Sequence, residues 1–284
     1  MKTRKYFLTF GLVLVSVVST YFATTSTAQQ GAPQSPPAAD LEYQVAAILY
    51  QQKAAEYRAL CYQAFNLARW QLDADFDKKN LKKLPKAERE RPRAVVVDID
   101  ETVLDNSPAQ AFGVKNRRAF NLTDWYAWGE RRGAKAVPGA VDFVNYTVSR
   151  GVKVFYVSNR DDVQLQATID NLKSAGFRDA AAENVLLRAG GVSTKTPRRE
   201  AIAQKYRVVF LMGDNLDDFS DAFERKSVAE RFAETDKTRA LFGDKFIVLP
   251  NAMYGTWENA IYEYGRGLTE AQKAQIRANA LESY

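Results

Sequence analysis

From residue 94 onward, short runs of strongly apolar residues alternate with segments of helical periodicity, and this alternation restricts the fold more than any other feature. The first run reads Ala-Val-Val-Val-Asp, which is typical of a strand buried on both faces. We therefore predict an α/β fold with a parallel sheet covered by helices on both faces. The predicted strands are 94–98, 152–158, 185–188, 208–212 and 246–249, and the predicted helices between them are 141–149, 162–176 and 197–205.

The segment before the first strand also has helical periodicity. Apolar side chains recur at helical spacing from Val45 to Ala68, and Asp40 is a candidate N-cap of this helix. Cys61 lies inside the segment, where we expect a buried and inert thiol. The basic run at 78–93 is interpreted as a solvated connector, and attraction to anionic surfaces or substrates is the alternative.

The N-terminus has the pattern of an export signal. Three basic residues within the first five positions precede an apolar run at 7–18 and small or polar residues that end at Ala28. We interpret residues 1–28 as a secretory signal peptide that is cleaved after Ala28. Retention of the segment as a membrane anchor is the alternative, although its apolar stretch is short for a bilayer.

Residues 29–39 form an expected linker, since they contain three prolines and no charge. The remainder, 40–284, is expected to be a single domain. Because of the expected signal peptide, we expect the protein to be exported and to be periplasmic, secreted or loosely associated with the cell envelope. Oligomeric state is left open, and a homo-oligomer is one of the alternatives.

Composition excludes several kinds of chemistry. The chain contains no histidine and a single cysteine, which rules out Ser-His-Asp triads, histidine-based zinc sites and intrachain disulfides. Nucleophiles and metal ligands must therefore be carboxylates, hydroxyls or lysines. The formal charge of +6 comes from 40 basic and 34 acidic residues, which argues against a nucleic acid polymer as partner.

Two aspartates end the first predicted strand. Asp98 and Asp100 are two residues apart and project to the same side near the strand end. Two negative charges in one small space are unfavourable unless a cation or a proton lies between them. The pair is a candidate for metal binding and catalysis, and an acidic turn at the surface is the alternative.

Polar residues follow two more of the predicted strands. Ser158, Asn159 and Arg160 end the second strand and are able to donate hydrogen bonds to phosphoryl oxygens, although a strand-to-helix turn with capping residues would look the same. Lys195 precedes a helix, where it would neutralise phosphate as a compact charge. Considered alone, this lysine is more typical of a solvent-facing side chain.

The fourth strand runs into Gly213 and then a group of acids. Asp214 lies at the strand tip and Asp218 one helical turn later, and such oxygen ligands suit Mg²⁺. Asp217 fits a helix start equally well. Because ligands of parallel sheets bind at the carboxyl ends of the strands, we expect all these side chains to converge on one cleft.

Several strings resemble the motifs of the haloacid dehalogenase (HAD) superfamily. Those at 97–108, 136–140, 154–160, 213–219 and 246–251 are more specifically similar to the class C bacterial acid phosphatases, the group that contains the outer-membrane lipoprotein e 5′-nucleotidases. The lipobox cysteine of those lipoproteins is missing, so no lipid anchor is expected.

The resemblance implies a Rossmannoid parallel sheet with a small helical cap built from the N-terminal helix and the insert after the first strand. It divides the domain into a helical part at 40–92 and 104–135, an α/β core at 93–103 and 136–250, and a C-terminal helical tail at 251–284.

The resemblance also implies residue roles. Asp98 would be the nucleophile that forms an aspartyl-phosphate, and Asp100 the general acid and base. Mg²⁺ would be held by Asp98, Asp100 (through its backbone carbonyl), Asp214 and Asp218. Phosphate would be bound by Ser158, Asn159 and Lys195. The substrate would stack on Trp125 and Tyr254.

The implied activity is acid phosphatase on small phosphomonoesters, with nucleoside 5′-monophosphates as expected substrates. Three alternatives stay open at this point. The same intermediate would serve a phosphotransferase, the chain could be a non-enzymatic surface binding protein, and the two aromatic residues Trp125 and Tyr254 could belong to the core.

Overall fold

In a computed structural model, the described part of the chain is residues 41–284. These residues belong to one compact unit, Ala38–Tyr284. The expected signal peptide, the expected linker and the candidate N-cap Asp40 lie outside the described residues. No helix within 41–284 combines the length and the apolar character needed to cross a membrane.

The strands confirm the expected α/β fold. They are β1 (Arg93–Val97), β2 (Leu104–Asp105), β3 (Lys135–Ala136), β4 (Lys153–Asp161), β5 (Val185–Arg188), β6 (Arg207–Gly213) and β7 (Phe246–Val248). Five of them form one parallel sheet in the order β5-β4-β1-β6-β7. Strand β4 continues three residues beyond the predicted Ser158, as far as Asp161.

Helices precede the sheet, connect its strands and follow it. They are α1 (Val45–Lys53), α2 (Ala55–Phe76), α3 (Lys78–Lys82), α4 (Lys86–Glu90), α5 (Ser107–Lys115), α6 (Leu122–Glu130), α7 (Ala140–Ser149), α8 (Leu165–Ser174), α9 (Thr196–Lys205), α10 (Val228–Lys237), α11 (Thr256–Ile261) and α12 (Glu270–Asn279).

The central strand β1 is buried on both faces, as its apolar run predicts. Val95 and Val97 belong to the larger core cluster, which also contains side chains of α2, α7 and α8. Ala94 and Val96 pack with Ile202 of α9 in a second cluster. Because successive side chains of a strand alternate between its faces, the two clusters lie on opposite sides of the sheet.

The predicted first helix is wrong in one respect, because it is two helices. Ala54 has an extended backbone (φ −77°, ψ 131°) and separates α1 from α2. The break allows α1 to pack against α5 while α2 packs against α7. Within α2, Cys61 is fully buried, as expected, and burial raises the pKa of its thiol to about 11, which disfavours the reactive thiolate.

Two other segments differ from expectation. The basic connector is ordered into α3 and α4, and its lysines are exposed as a solvated segment requires. The insert after β1 is not wholly helical, because β2 and β3 form a short antiparallel pair. This pair brings together the two ends of the insert, whose helices α5 and α6 lie between β2 and β3 along the chain.

Candidate active site

Three carboxylates from two neighbouring strands meet at the carboxyl end of the sheet. Asp98 follows β1, whereas Asp214 and Asp218 follow β6, which pairs with β1. One oxygen atom of each residue lies within 4.8 Å of the others. The backbone N–H of Asp98 donates to the carbonyl of Met212 at 2.9 Å, so the sheet itself sets the relative position of the two strand ends.

The loop after β6 places its two acids through close packing. A Cβ added at Gly213 would lie 2.3 Å from Oδ2 of Asp218, so only glycine permits this approach. The backbone N–H of Asn215 donates to the same oxygen at 3.0 Å. The side-chain amide of Asn251 donates to Oδ2 of Asp214 at 2.8 Å.

Lys195 is the positive charge of the cluster. Its ammonium contacts Asp98 and lies 2.6 Å from Oδ1 of Asp218. The side chain is buried, so the solvent-facing position that is more typical of a lone lysine is wrong here. Burial alone would lower the pKa of Lys195, but the carboxylates of Asp218 and Asp98 outweigh it and raise the pKa.

The cluster has the donor set for a divalent cation. Burial raises the pKa of Asp98, with Lys195 opposing the shift and Asp218 adding to it. Burial and the two neighbouring carboxylates raise the pKa of Asp214 well above its ordinary value. Three carboxylates against one ammonium leave negative charge that a bound cation would offset, and three carboxylate oxygens match the hard ligands that such ions prefer.

Asp100 is turned away from this cluster toward β4. Its carboxylate accepts hydrogen bonds from Nε and Nη2 of Arg160 at 2.9 and 2.8 Å, and from Oγ of Ser158 at 3.1 Å. Arg160 is 3 % exposed. The sequence offers Arg160, with Ser158 and Asn159, as a candidate donor to phosphoryl oxygens, whereas in the structure its guanidinium is the ion-pair partner of Asp100.

Asn106 also contacts Asp100, and no sequence pattern singled it out. Its side-chain amide donates to Oδ1 of Asp100 at 2.8 Å, while its carbonyl oxygen accepts from the indole of Trp128 at 2.8 Å and from Arg160 at 3.2 Å. It is fully buried. Asn106 therefore connects helix α6 of the insert to the carboxylate expected to act as acid and base.

The expected phosphate-binding residues differ in environment. Ser158 is fully buried, and its hydroxyl accepts from the backbone N–H of Arg160 at 3.1 Å. Asn159 is exposed, and its side-chain oxygen accepts from Arg198 at 2.6 Å. Ser158, Asn159 and Lys195 all line one cleft with Asp98 and Asp100.

Glu101 is a fully buried acid that the sequence analysis did not single out. It has a φ of 58°, and it accepts hydrogen bonds from the backbone of Asn106 at 2.7 Å and from the hydroxyl of Tyr254. Burial, with Asp100 and Asp214 nearby, raises its pKa well above the ordinary value. The bond to Glu101 anchors Tyr254, which lines the cleft.

The cleft has a volume of about 1240 Å³, and Trp125 and Tyr254 both line it. Trp125 is partly exposed and lies on α6, whose N-cap Asn121 accepts from the backbone of Asp124 at 2.9 Å. The guanidinium carbon of Arg160 is 5.5 Å from the Trp125 ring centre. Neither aromatic residue belongs to the core clusters, so the alternative that they are core residues is not supported.

A comparison with protein families decides the membership of this chain. A model of the HAD superfamily, subfamily IIIB (acid phosphatase), matches residues 8–257. The chain belongs to this family. The finding confirms the resemblance seen in the motifs, and the family is one of phosphomonoester hydrolases, the enzyme class that the sequence predicted.

Solved structures agree with this membership. The class C acid phosphatase from Bacillus anthracis, in a crystal structure with tungstate bound, superposes with a TM-score of 0.79 at 42 % sequence identity, covering 86 % of this chain and 98 % of that one. A second structure of that enzyme gives a TM-score of 0.78 at the same identity and coverage. The fold is therefore that of a class C acid phosphatase.

Curated relatives are more distant and match a smaller part. The Stem 28 kDa glycoprotein of Glycine max is 34 % identical over 134 residues, which is 43 % of this chain and 51 % of the relative. Acid phosphatase 1 of Solanum lycopersicum is 28 % identical over 130 residues, or 43 % of this chain and 50 % of the relative. The chain thus spans about half the length of these relatives.

Proposed function

We propose that this subfamily IIIB protein is a Mg²⁺-dependent acid phosphatase that hydrolyses small phosphomonoesters through an aspartyl-phosphate on Asp98. The observation that carries the proposal is the meeting of Asp98, Asp214 and Asp218 within 4.8 Å, with Lys195 in contact with two of them. A divalent cation bound there would offset the charge of the carboxylates and of the phosphoryl group. The side chains of Asp98, Asp214 and Asp218 and the backbone carbonyl of Asp100 would hold it.

In the first half of the reaction, a carboxylate oxygen of Asp98 attacks phosphorus. A bond forms between that oxygen and phosphorus while the bond from phosphorus to the leaving oxygen breaks. Asp100, which also lines the cleft, donates its proton to the leaving alkoxide. Ser158, Asn159 and Lys195 bind the phosphoryl oxygens as they pass through the transition state.

In the second half, water attacks the phosphorus of the aspartyl-phosphate. Asp100, now deprotonated, accepts a proton from this water, and the bond between phosphorus and Asp98 breaks. Inorganic phosphate leaves, and both aspartates return to their starting states. The same two residues therefore serve both half-reactions.

Nucleoside 5′-monophosphates are the proposed substrates. Trp125 on α6 and Tyr254 after β7 line the cleft that contains Asp98, so an aromatic base is able to stack on them while the phosphate reaches the carboxylates. Stacking tolerates different bases because every base has a π-face, and a broad preference is expected.

Export is part of the proposal, with residues 1–28 as the cleaved signal. Fractionation of the source cell tests it: the mature form should begin after Ala28 and be found outside the cytoplasm. A mature chain that retains Met1 and stays in the cytoplasmic fraction would contradict export.

The activity is tested by release of phosphate from p-nitrophenyl phosphate. We expect turnover with added Mg²⁺, loss of turnover in EDTA, and loss in Asp98→Asn. Added glycerol distinguishes a phosphotransferase from a hydrolase. Formation of glycerol phosphate would show that the phosphoryl group is transferred to an alcohol as well as to water. A protein inactive under all metal conditions would indicate a binding protein instead.

A further inference from the structure

Helix α9 (Thr196–Lys205) begins in the middle of the catalytic groups, and its first turn carries two arginines that do not line the cleft. Lys195, the residue before the helix, contacts Asp98 and Asp218. Arg198 and Arg199 are partly buried and point to opposite sides of this lysine, one toward the end of β4 and the other toward the loop after β6.

Arg198 joins the two segments that carry the phosphate-binding residues. Its Nη1 donates to the backbone carbonyl of Ser158 at 2.6 Å, and its Nη2 donates to the side chain of Asn159 at 2.6 Å. The same Nη2 donates to the carbonyl of Thr194 at 3.2 Å, directly before Lys195. One guanidinium therefore sets the spacing between Ser158 and Lys195.

Arg199 makes the corresponding connection to the carboxylate loop. Its Nη1 donates to the backbone carbonyls of Asp217 and Asp218 at 3.2 and 3.0 Å. Its Nη2 donates to the hydroxyl of Thr196 at 2.7 Å, which holds the guanidinium on the helix. The position of Asp218 relative to Lys195 is therefore fixed through this side chain.

We propose that Arg198 and Arg199 are positioning residues with separate targets: Arg198 sets the phosphate-binding geometry, and Arg199 sets the carboxylate cluster that would hold the cation. The inference rests on the proposed function. A planar guanidinium with donors in a fixed fork connects several acceptors at once, which the single point charge of lysine does not.

Arg198 is tested with Arg198→Met and Arg198→Lys in the full-length protein. The probe is inorganic phosphate, whose affinity is measured by calorimetry with Mg²⁺ present, so the readout does not depend on turnover. We expect both variants to bind phosphate roughly tenfold to 100-fold more weakly, because hydrogen bonds from a charged group that hold Ser158 and Lys195 in place are lost. Mg²⁺ affinity should change much less, because the side chain of Arg198 makes no hydrogen bond to Asp98, Asp214 or Asp218.

Arg199 is tested in the same way and should show the opposite pattern. Arg199→Met and Arg199→Lys are expected to weaken Mg²⁺ binding in the absence of phosphate by roughly tenfold to 100-fold, the usual effect of losing a residue that orients metal ligands. Phosphate affinity, measured with Mg²⁺ at saturation, should change much less, because the side chain of Arg199 makes no hydrogen bond to Ser158, Asn159 or Lys195. Steady-state kinetics should then show a higher Mg²⁺ requirement with little change in KM for substrate.

The matched control is Lys205→Met, which removes a positive charge from the exposed last turn of the same helix. It should change neither affinity. Near-wild-type binding by Arg198→Lys and Arg199→Lys would overturn the proposal, since charge alone would then suffice. Equal loss of both affinities in every arginine variant, with lowered melting temperatures, would also overturn it and assign both residues a general structural role. A wild type that binds Mg²⁺ and phosphate without turnover would refute the proposed function only.

Discussion

The guanidinium of Arg160 donates two hydrogen bonds to one carboxylate oxygen of Asp100, from Nε at 2.9 Å and from Nη2 at 2.8 Å. This pair fixes the residue that is proposed to exchange protons with the leaving group and with water. Because Asp98 is placed by the sheet and Asp100 by Arg160, the proposed nucleophile and the proposed acid are positioned by different parts of the fold.

We predict that Arg160→Met lowers kcat by roughly 10-fold to 100-fold, because Asp100 loses the contacts that orient it. The KM for p-nitrophenyl phosphate should change much less, and steady-state kinetics measures both. Arg178→Met, which removes an exposed arginine outside the cleft, should match the wild type. A raised KM with unchanged kcat would instead assign Arg160 to substrate binding.

Magnesium should stabilise the folded protein through the carboxylate cluster. A ligand at about 100 times its dissociation constant adds about 2.7 kcal/mol to the free energy of unfolding, so the wild type should melt at a higher temperature with Mg²⁺ than with EDTA. Asp214→Asn should lose this difference, because one of the three carboxylates of the cluster loses its negative charge. An equal shift in the variant would place the cation elsewhere.

Stacking on Trp125 is predicted to decide the preference for nucleotides. Trp125→Ala should lower kcat/KM for a nucleoside 5′-monophosphate by about tenfold while leaving that for glycerol phosphate nearly unchanged, since base stacking is worth about 1–3 kcal/mol. Trp70→Ala is the control, because that tryptophan is 67 % exposed on α2 and outside the cleft. If both substrates lose equally, Trp125 supports the shape of the cleft and does not bind the base.

Asp75 is predicted to make stability depend on pH. It lies on α2 and accepts hydrogen bonds from Arg207 at 2.6 and 2.7 Å and from Arg93 at 2.7 Å, which tie the helix to the starts of β6 and β1. Burial alone would raise the pKa of Asp75, but these two arginines outweigh it and lower the pKa. Because its pKa is lower in the folded state, ionised Asp75 adds to the free energy of unfolding. This stabilisation is complete above the unfolded pKa of about 3.9 and is lost as the pH falls through the lower pKa of the folded state.

Asp75→Asn should therefore lower the free energy of unfolding by about 2 kcal/mol near neutral pH, between the values for exposed and fully buried pairs. Urea denaturation at several pH values measures the difference in free energy of unfolding between the wild type and Asp75→Asn. This difference should shrink below about pH 4. Asp73→Asn is the control, because its pair with Arg150 is more exposed. A difference that stays constant down to acid pH would show that the ion pair is not its source.

The sheet and the carboxylates were predictable because their signals are local. The continuous apolar run of β1 indicates a buried central strand. The carboxyl ends of parallel strands meet at one edge of the sheet, and this edge brings together Asp98 after β1, Asp214 after β6 and Lys195 before α9. The break at Ala54 was not predictable, because alanine favours helix and only the packing of α1 and α2 on different partners separates them.

The contacts of the proposed acid were not predictable either. Asn106 and Arg160 are separated by 54 positions in the sequence, and no local pattern indicates that both bind Asp100. Likewise, the sequence does not distinguish Glu101 from its neighbours. Its side chain turns toward Tyr254 because the backbone after β1 adopts a φ of 58° at this position, a property of the folded turn.

The most direct test of the account is to find the residue that carries the phosphoryl group during turnover. The enzyme is mixed with substrate and Mg²⁺, quenched in acid within the first turnovers, digested, and analysed by mass spectrometry. We predict one phosphoryl group on the peptide that contains Asp98, and none after the same treatment of Asp98→Asn. A phosphoryl group on any other residue, or rapid phosphate release by the Asp98→Asn variant, would contradict the mechanism.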